Sequence, residues 1–276
     1  MKPPAESSFA ELDWGQRQVR IEHRVIDGPA AAPLMVFLHE GLGSVAMWKD
    51  FPDRLCAACG VRGLVYSRPG YGRSTPRPAA RPLAPDFMHR QAHQVLPALL
   101  DTLGVTEPVL LFGHSDGGSI ALLYAAQFPA AVRALVVMAP HIVVEPLSLT
   151  SIRAARDAWQ TTDLPQRLAR YHDDADSAFR GWNDVWLDPA FADWDIRAQI
   201  SGIACPVLAL QGEDDEYGTL EQIRGIAQRV PQTQLLALPA CGHSPHRDQP
   251  AAVIEAVSGF LHGPAGPQGK PAALQC

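Results

Sequence analysis

The residues with the clearest chemical potential are Gly113-His114-Ser115-Asp116-Gly117, a G-x-S-x-G pentapeptide. A serine hydroxyl is a poor nucleophile near neutrality. It needs a base within hydrogen-bond reach, itself held in one tautomer by a carboxylate. The chemistry such a set performs is acyl transfer through a covalent ester on the serine. With 10 histidines and 29 acidic residues in the chain, the partners must be found from their setting.

The setting of Ser115 is informative. Pro108 to Phe112 is a short apolar run that reads as a strand. Ser115 to Phe128 is apolar on nearly all sides, as in a helix buried against a sheet. A turn this tight between strand and helix strains the nucleophile's backbone and leaves no room for side chains two residues before and after it, where Gly113 and Gly117 stand. The helix N-terminus also points at any negative charge that develops beside the serine.

The elements that must position these groups alternate. Val19, Ile21 and Val25 in Arg17 to Asp27 suggest an exposed antiparallel strand at the sheet edge, after an irregular N-terminus. Short apolar runs follow at Leu34 to His39, Gly63 to Tyr66, Pro108 to Phe112, Ala134 to Met138, Pro206 to Leu210 and Gln234 to Leu238, as for strands buried on both faces. Between them, Asp86 to Leu103 repeats apolar residues at helical spacing, with a bend expected at Pro97. The alternation predicts a doubly wound α/β fold, a mostly parallel central sheet flanked by helices.

The strand rhythm stops over residues 141–200, which carry Trp159, Trp182, Trp186 and Trp194 in helical stretches and read as an inserted helical cap. The core is therefore expected in two parts, 1–140 and 201–262, with Pro250 to His262 as the closing helix. Residues 263–276, rich in Gly, Pro and Ala, are expected to be a disordered tail.

Composition narrows the partners. The 276 residues, 47% hydrophobic and 19% charged, suit a globular fold that needs no staple. A formal charge of −6 argues against a nucleic-acid partner. No stretch reaches the roughly 18 apolar residues of a membrane span, and Met1 to Glu11 has no export signal. Five scattered cysteines fit reduced thiols in the cytoplasm, and Cys56-x-x-Cys59 lacks a second pair at zinc spacing. No metal or cofactor is expected, and oligomeric state is left open.

Over roughly Val19 to His262 the chain resembles the α/β-hydrolase family, whose members carry the nucleophile in this pentapeptide and supply nucleophile, acid and base in that order. The serine sets the chain apart from members that use an aspartate nucleophile, the haloalkane dehalogenases and epoxide hydrolases. By the same resemblance, Gly212-Glu213-Asp214-Asp215 is similar to the family's G-x-x-D and implies Asp215 as the acid, with Asp214 and Glu213 as neighbouring rivals. Cys241-Gly242-His243-Ser244-Pro245 resembles the G-H-S-P turn and implies His243 as the base. His246, three residues on, and His89 with His93 at i, i+4 lack the further ligands of a metal site.

The tetrahedral intermediate needs two N–H donors. Asp116 implies one; the other is expected from His39-Glu40-Gly41-Leu42-Gly43-Ser44, similar to the family's H-G-x-G-S but with Glu40 intervening. Leu42 is preferred, with Gly41 the alternative if His39 matches the family's histidine. Ser67-Arg68-Pro69-Gly70-Tyr71-Gly72-Arg73-Ser74 resembles D-x-x-G-x-G-x-S, with Ser67 in place of the acid. Arg68 could meet a substrate carboxylate or remain structural. His141, after the strand ending at Met138, is expected to overlook the nucleophile and contact substrate. The four tryptophans could line a pocket or form the cap's own core.

The resemblance implies a serine hydrolase of small carboxylic esters or lactones acting on a small-molecule substrate. A carbon–carbon bond hydrolase of aromatic ring-cleavage products, an acyltransferase and a noncatalytic ligand-binding member of the fold are the alternatives.

Overall fold

The computed structural model describes residues 7–15, 17–78 and 82–263. Most of the expected tail, from residue 264 to Cys276, lies outside them. Eight strands form one sheet: β1 (Ser8–Trp14), β2 (Arg17–Ile26), β3 (Leu34–Leu38), β4 (Arg62–Tyr66), β5 (Val109–His114), β6 (Val132–Met138), β7 (Val207–Gly212) and β8 (Thr233–Leu238), in the order β1-β2-β4-β3-β5-β6-β7-β8. From β4 across to β8 every neighbouring pair is parallel; β1 with β2 and β2 with β4 are antiparallel. This is the doubly wound α/β architecture that the alternating pattern implied.

The helices are α1 (Phe51–Cys59), α2 (Phe87–Arg90), α3 (Leu96–Thr102), α4 (Asp116–Gln127), α5 (Pro146–Thr161), α6 (Leu164–Leu168), α7 (Ala175–Trp186), α8 (Glu221–Arg229), α9 (Pro245–Asp248) and α10 (Pro250–His262). The two faces of the sheet bury alternate side chains of each strand. On one face Met35 and Phe37 of β3 meet Leu55 of α1 and Val257 of α10. On the other, Val36 and Leu38 meet Met88, Leu96 and Ile120 around α2, α3 and α4. Each such fully buried large side chain contributes roughly 1.5–3 kcal/mol relative to exposure. The middle strands β5 and β7 are buried at every position, which is why their sequences read as unbroken apolar runs.

Three expectations are corrected. The N-terminus is not irregular after Glu6: β1 pairs with β2 and takes the sheet edge that Arg17 to Asp27 was expected to occupy. Only Ala10 and Leu12 of β1 are buried, too weak an alternation to stand out in the sequence. At the opposite edge, β8 is largely exposed rather than buried on both faces, with Leu235 45% accessible. Finally, the irregularity expected at Pro97 falls just before it. Gln91–Val95 is a π-helical turn in which Leu96 N–H donates to Gln91 O, a widening that accommodates a proline unable to continue the i→i−4 ladder.

Between β6 and β7 run α5, α6 and α7 and short 3-10 turns, joined to the approach from β6 by an isolated bridge, Val143 with Asp195. Asp174 caps α7 through the Ser177 N–H at 2.9 Å. Among the described residues no helix is long and apolar enough to cross a membrane.

Candidate active site

The turn after β5 holds Ser115 at φ 52°, ψ −122°, a conformation costing an L residue about 1–3 kcal/mol. Ser115 N–H donates to Met138 O at 2.9 Å, and Ser115 O accepts from the N–H groups of Gly118 and Ser119 at 2.8 and 3.1 Å. Neighbouring backbone leaves no space for side chains beside it. A Cβ on Gly117 would stand 2.1 Å from Leu38 O, and one on Gly113 2.4 Å from Gly117 O.

Asp215 follows β7 and His243 follows β8, so adjacent strands deliver both to the sheet edge where Ser115 emerges. His243 Nδ1 lies 2.8 Å from Asp215 Oδ1 and His243 Nε2 lies 2.9 Å from Ser115 Oγ. Because Nδ1 faces a carboxylate it carries the hydrogen, which leaves the Nε2 lone pair for the serine proton. Asp215 Oδ1 also accepts from Tyr217 N–H at 2.8 Å and Gly218 N–H at 3.3 Å, and Oδ2 from Gln211 Nε2 at 3.0 Å. Burial pushes this carboxyl up, but the hydrogen bond and charge of His243, with the Tyr217 N–H, prevail and hold it below its ordinary value. Of the three neighbouring acids, Asp215 is the one whose carboxylate reaches the imidazole.

Several residues secure the His243 turn. Glu216 Oε2 accepts His243 N–H at 3.1 Å, Asp248 Oδ2 accepts Gly242 N–H at 2.9 Å, and buried His114 donates Nε2–H to His243 O at 2.7 Å. His246 packs with Trp48 and Phe51 at ring separations of 5.1 and 5.4 Å, its pKa lowered to about 2 chiefly by burial. His89, hydrogen-bonded to Gln199, and His93 lie elsewhere on the fold. No group of three metal-binding side chains occurs among the described residues. Cys56 and Cys59 lie on the buried side of α1, their thiols pushed up to about 12 and about 11 by burial.

Two turns carry the backbone N–H groups expected to face an oxyanion. Asp116 opens α4, so its N–H has no helical carbonyl behind it. Gly41 and Leu42 form the crest of a turn closed by Gly43 N–H on Glu40 O at 3.1 Å. His172 Nε2 donates to Leu42 O at 2.9 Å, whereas Gly41 lies against an indole: a Cβ there would stand 2.2 Å from Trp182 Cδ1. His39 braces the turn from below, with Nδ1 on Glu40 O at 2.7 Å and Nε2 accepting Arg68 N–H at 3.0 Å. The Glu40 carboxylate bridges outward, 3.3 Å from Arg247 Nη2 and 3.6 Å from His114 Nδ1.

Arg68 and His141 are placed differently. The Arg68 side chain is 1% exposed, its Nη2 donating to Glu40 O at 2.8 Å and lying 3.8 Å from Asp116 Oδ2. It sits beneath the turn of Gly41 and Leu42 and lines a cavity of about 730 Å³ with Tyr71, Phe87 and Gln91, its Nε and Nη1 without hydrogen-bond partners among the described residues. His141 is anchored by Ser119, which donates Oγ–H to His141 O at 2.6 Å, and its ring lies 5.8 Å from that of His243. Burial, reinforced by His243, lowers its pKa to about 3, so a neutral imidazole stands beside His243.

The tryptophans divide between the two roles considered for them. Trp159 stacks on Phe179 at 4.1 Å and Trp194 on Phe191 at 5.3 Å, within the helical segment. Trp182 covers Gly41, and Trp186 donates Nε1–H to Asp116 Oδ1 at 3.2 Å. Gln211, Tyr217, His172 and His114 escaped the sequence reading. Gln211 immediately precedes G-x-x-D and His114 is the variable residue of G-x-S-x-G, but neither position announces what the side chain will touch.

Comparison with known proteins agrees with this geometry. The family model described as "Alpha/beta hydrolase family" matches residues 35–256. The mouse (Mus musculus) sn-1-specific diacylglycerol lipase ABHD11 is 28% identical, over 89% of this chain and 86% of its own. The 2-hydroxy-6-oxo-6-phenylhexa-2,4-dienoate hydrolase of Burkholderia cepacia is 22% identical, over 76% of this chain and 80% of its own. The solved enol-lactonase from Burkholderia xenovorans LB400 shares the fold at a TM-score of 0.68 and 22% identity, covering 89% of this chain and 97% of that one. The strand order, the strained serine turn and the family match across most of the sequence together mean that the chain belongs to the α/β-hydrolase family and is an enzyme of that family.

Proposed function

We propose that the protein hydrolyses small carboxylic esters or lactones through an acyl-enzyme on Ser115. The supporting observation is the unbroken relay from Ser115 Oγ to His243 Nε2 at 2.9 Å and from His243 Nδ1 to Asp215 at 2.8 Å. His243 takes the Ser115 proton as the oxygen attacks the carbonyl carbon, then gives it to the leaving alkoxide. Asp215 orients the ring and stabilises the imidazolium. The N–H groups of Asp116 and Leu42 receive the oxyanion. Water activated by His243 releases the acid. No metal or cofactor enters this scheme.

In the same reading, residues 141–200 are the cap over the 1–140 and 201–262 core. Trp182 over Gly41 and Trp186 on Asp116 support that role. His141 forms the acyl-side wall, and Arg68 braces the oxyanion turn. The four described cysteines are free, which suits a reducing cytoplasmic setting.

The test is turnover of p-nitrophenyl acetate, a panel of lactones and a dienoic ring-fission product by wild type and Ser115→Ala. Release of nitrophenolate or lactone opening that disappears in the variant supports the reading. Loss of the dienoate chromophore alone would move the assignment to carbon–carbon bond hydrolysis. Absence of turnover and of fluorophosphonate labelling would leave a binding protein.

A further inference from the structure

A cleft of about 600 Å³ opens where α6 and the residues after it face the corner formed by α1 and α9. Its walls carry Lys49, Arg54, Arg167, Arg170 and Arg247 against a single carboxylate, Asp50. The whole chain has a formal charge of −6, so this concentration of cations runs against its overall balance. Like charges gathered in a cleft raise one another's energy unless an anion joins them.

Internal partners account for part of the cluster. Arg167 pairs with Asp163 at 3.3 Å, Arg247 with Glu40 at 3.3 Å, and Lys49 donates to Tyr171 Oη at 2.7 Å. The guanidinium groups of Arg54 and Arg170 have no hydrogen bond or ion pair among the described residues. Trp48, 2% exposed, and His246, 5% exposed, also line the cleft, and Trp48 Nε1 and His246 Nδ1 lack protein partners. The Tyr171 hydroxyl titrates below its ordinary value, first through the hydrogen bond from Lys49 and then through the charges of Lys49, Arg170 and Arg247.

Two side-chain links join the cleft's wall to the candidate active site. Tyr171 is in its wall, and the next residue, His172, holds the Leu42 carbonyl of the oxyanion turn. His246 lies 5.0 Å, ring to ring, from His114, which in turn bonds the His243 carbonyl.

We propose that this cleft binds a phosphate-bearing organic anion, and that the phosphate belongs to the leaving group of the acyl substrate. The net positive charge exceeds what one carboxylate would neutralise and suits a phosphomonoester of about −1.5 to −2, which guanidinium groups can grip bidentately. The substrate assignment rests on the hydrolase reading above. The acyl carbon's bond to the leaving oxygen or sulfur breaks, its bond to Ser115 Oγ forms, and the leaving group departs with the proton from His243. Its phosphate bonds are untouched.

The experiment compares S-acetyl pantetheine with S-acetyl phosphopantetheine on wild type and on Arg54→Gln/Arg170→Gln, with p-nitrophenyl acetate as a neutral control. Free phosphopantetheine is titrated into both proteins by calorimetry. The expected result is a KM lower by roughly ten-fold for the phosphorylated thioester, lost in the double variant and eroded by salt, while the control ester changes by less than about two-fold. Equal KM values with calorimetric binding to wild type alone would support the site with a free phosphorylated ligand instead. A phosphate preference that survives the double substitution, or no preference and no binding, overturns the proposal. If no ester is turned over and Ser115 resists fluorophosphonate, the hydrolase reading fails while calorimetry still tests the cleft.

Discussion

Trp186 Nε1–H donates to Asp116 Oδ1 at 3.2 Å, so the helical segment between β6 and β7 is hydrogen-bonded to the residue that follows Ser115. Asp116 is fully buried, and burial raises its carboxyl pKa despite the nearby Arg68 guanidinium. Trp186→Phe keeps most of the packing and removes the donor. Expected is a loss of about 1–3 kcal/mol in urea unfolding, the cost of an unpaired buried acceptor. A change below a few tenths would show that the bond carries no weight.

Ser115 separates activity from stability. Ser115→Gly removes the hydroxyl and also the cost of holding an L residue at φ 52°. The variant should lose at least about 1000-fold in kcat/KM yet unfold about 1 kcal/mol later than wild type. Asp215→Asn should lower kcat by about 1000-fold or more at unchanged fold, because the amide can stabilise the wrong imidazole tautomer. Ester hydrolysis and thermal melts of the two variants check both statements.

Gly41→Ala and Gly117→Ala should fail in different ways. At Gly117 the new methyl meets the Leu38 carbonyl, which belongs to the central sheet and cannot yield. That protein should be destabilised by several kcal/mol or not accumulate. At Gly41 the obstacle is the Trp182 indole, a side chain of the helical segment rather than backbone of the sheet, which must shift against Phe179. The variant should fold and show an altered KM for bulky esters, read by kinetics beside a near-native melt.

Acid sensitivity should come from buried histidines. His141 and His246 have pKa values lowered to about 3 and about 2 in the folded protein, so the unfolded chain binds more protons below its own histidine pKa of about 6.5. Stability from both is complete above about pH 6.5 and is lost as pH falls towards those folded values. Asp215, also lowered, loses its contribution further down, below the unfolded carboxylate pKa. His246→Phe, placed among Trp48 and Phe51, should flatten the fall between pH 6 and pH 4 in urea titrations. An unchanged slope would locate the sensitivity elsewhere.

What the sequence determined by itself was local or periodic. Unbroken apolar runs mark β3, β5 and β7 because strands covered on both faces have no polar side to show. Gly113 and Gly117 mark the serine turn because backbone packs where their side chains would be. β1 was missed and β8 misjudged because an edge strand's burial depends on what lies beside it. The G-x-x-D spacing pointed to Asp215 among three adjacent carboxylates, but tertiary structure alone turned Arg68 under the turn of Gly41 and Leu42 and divided the tryptophans between the helical segment's interior and the site. Those outcomes depend on the relative positions of loops far apart in the chain, which spacing along the sequence does not encode.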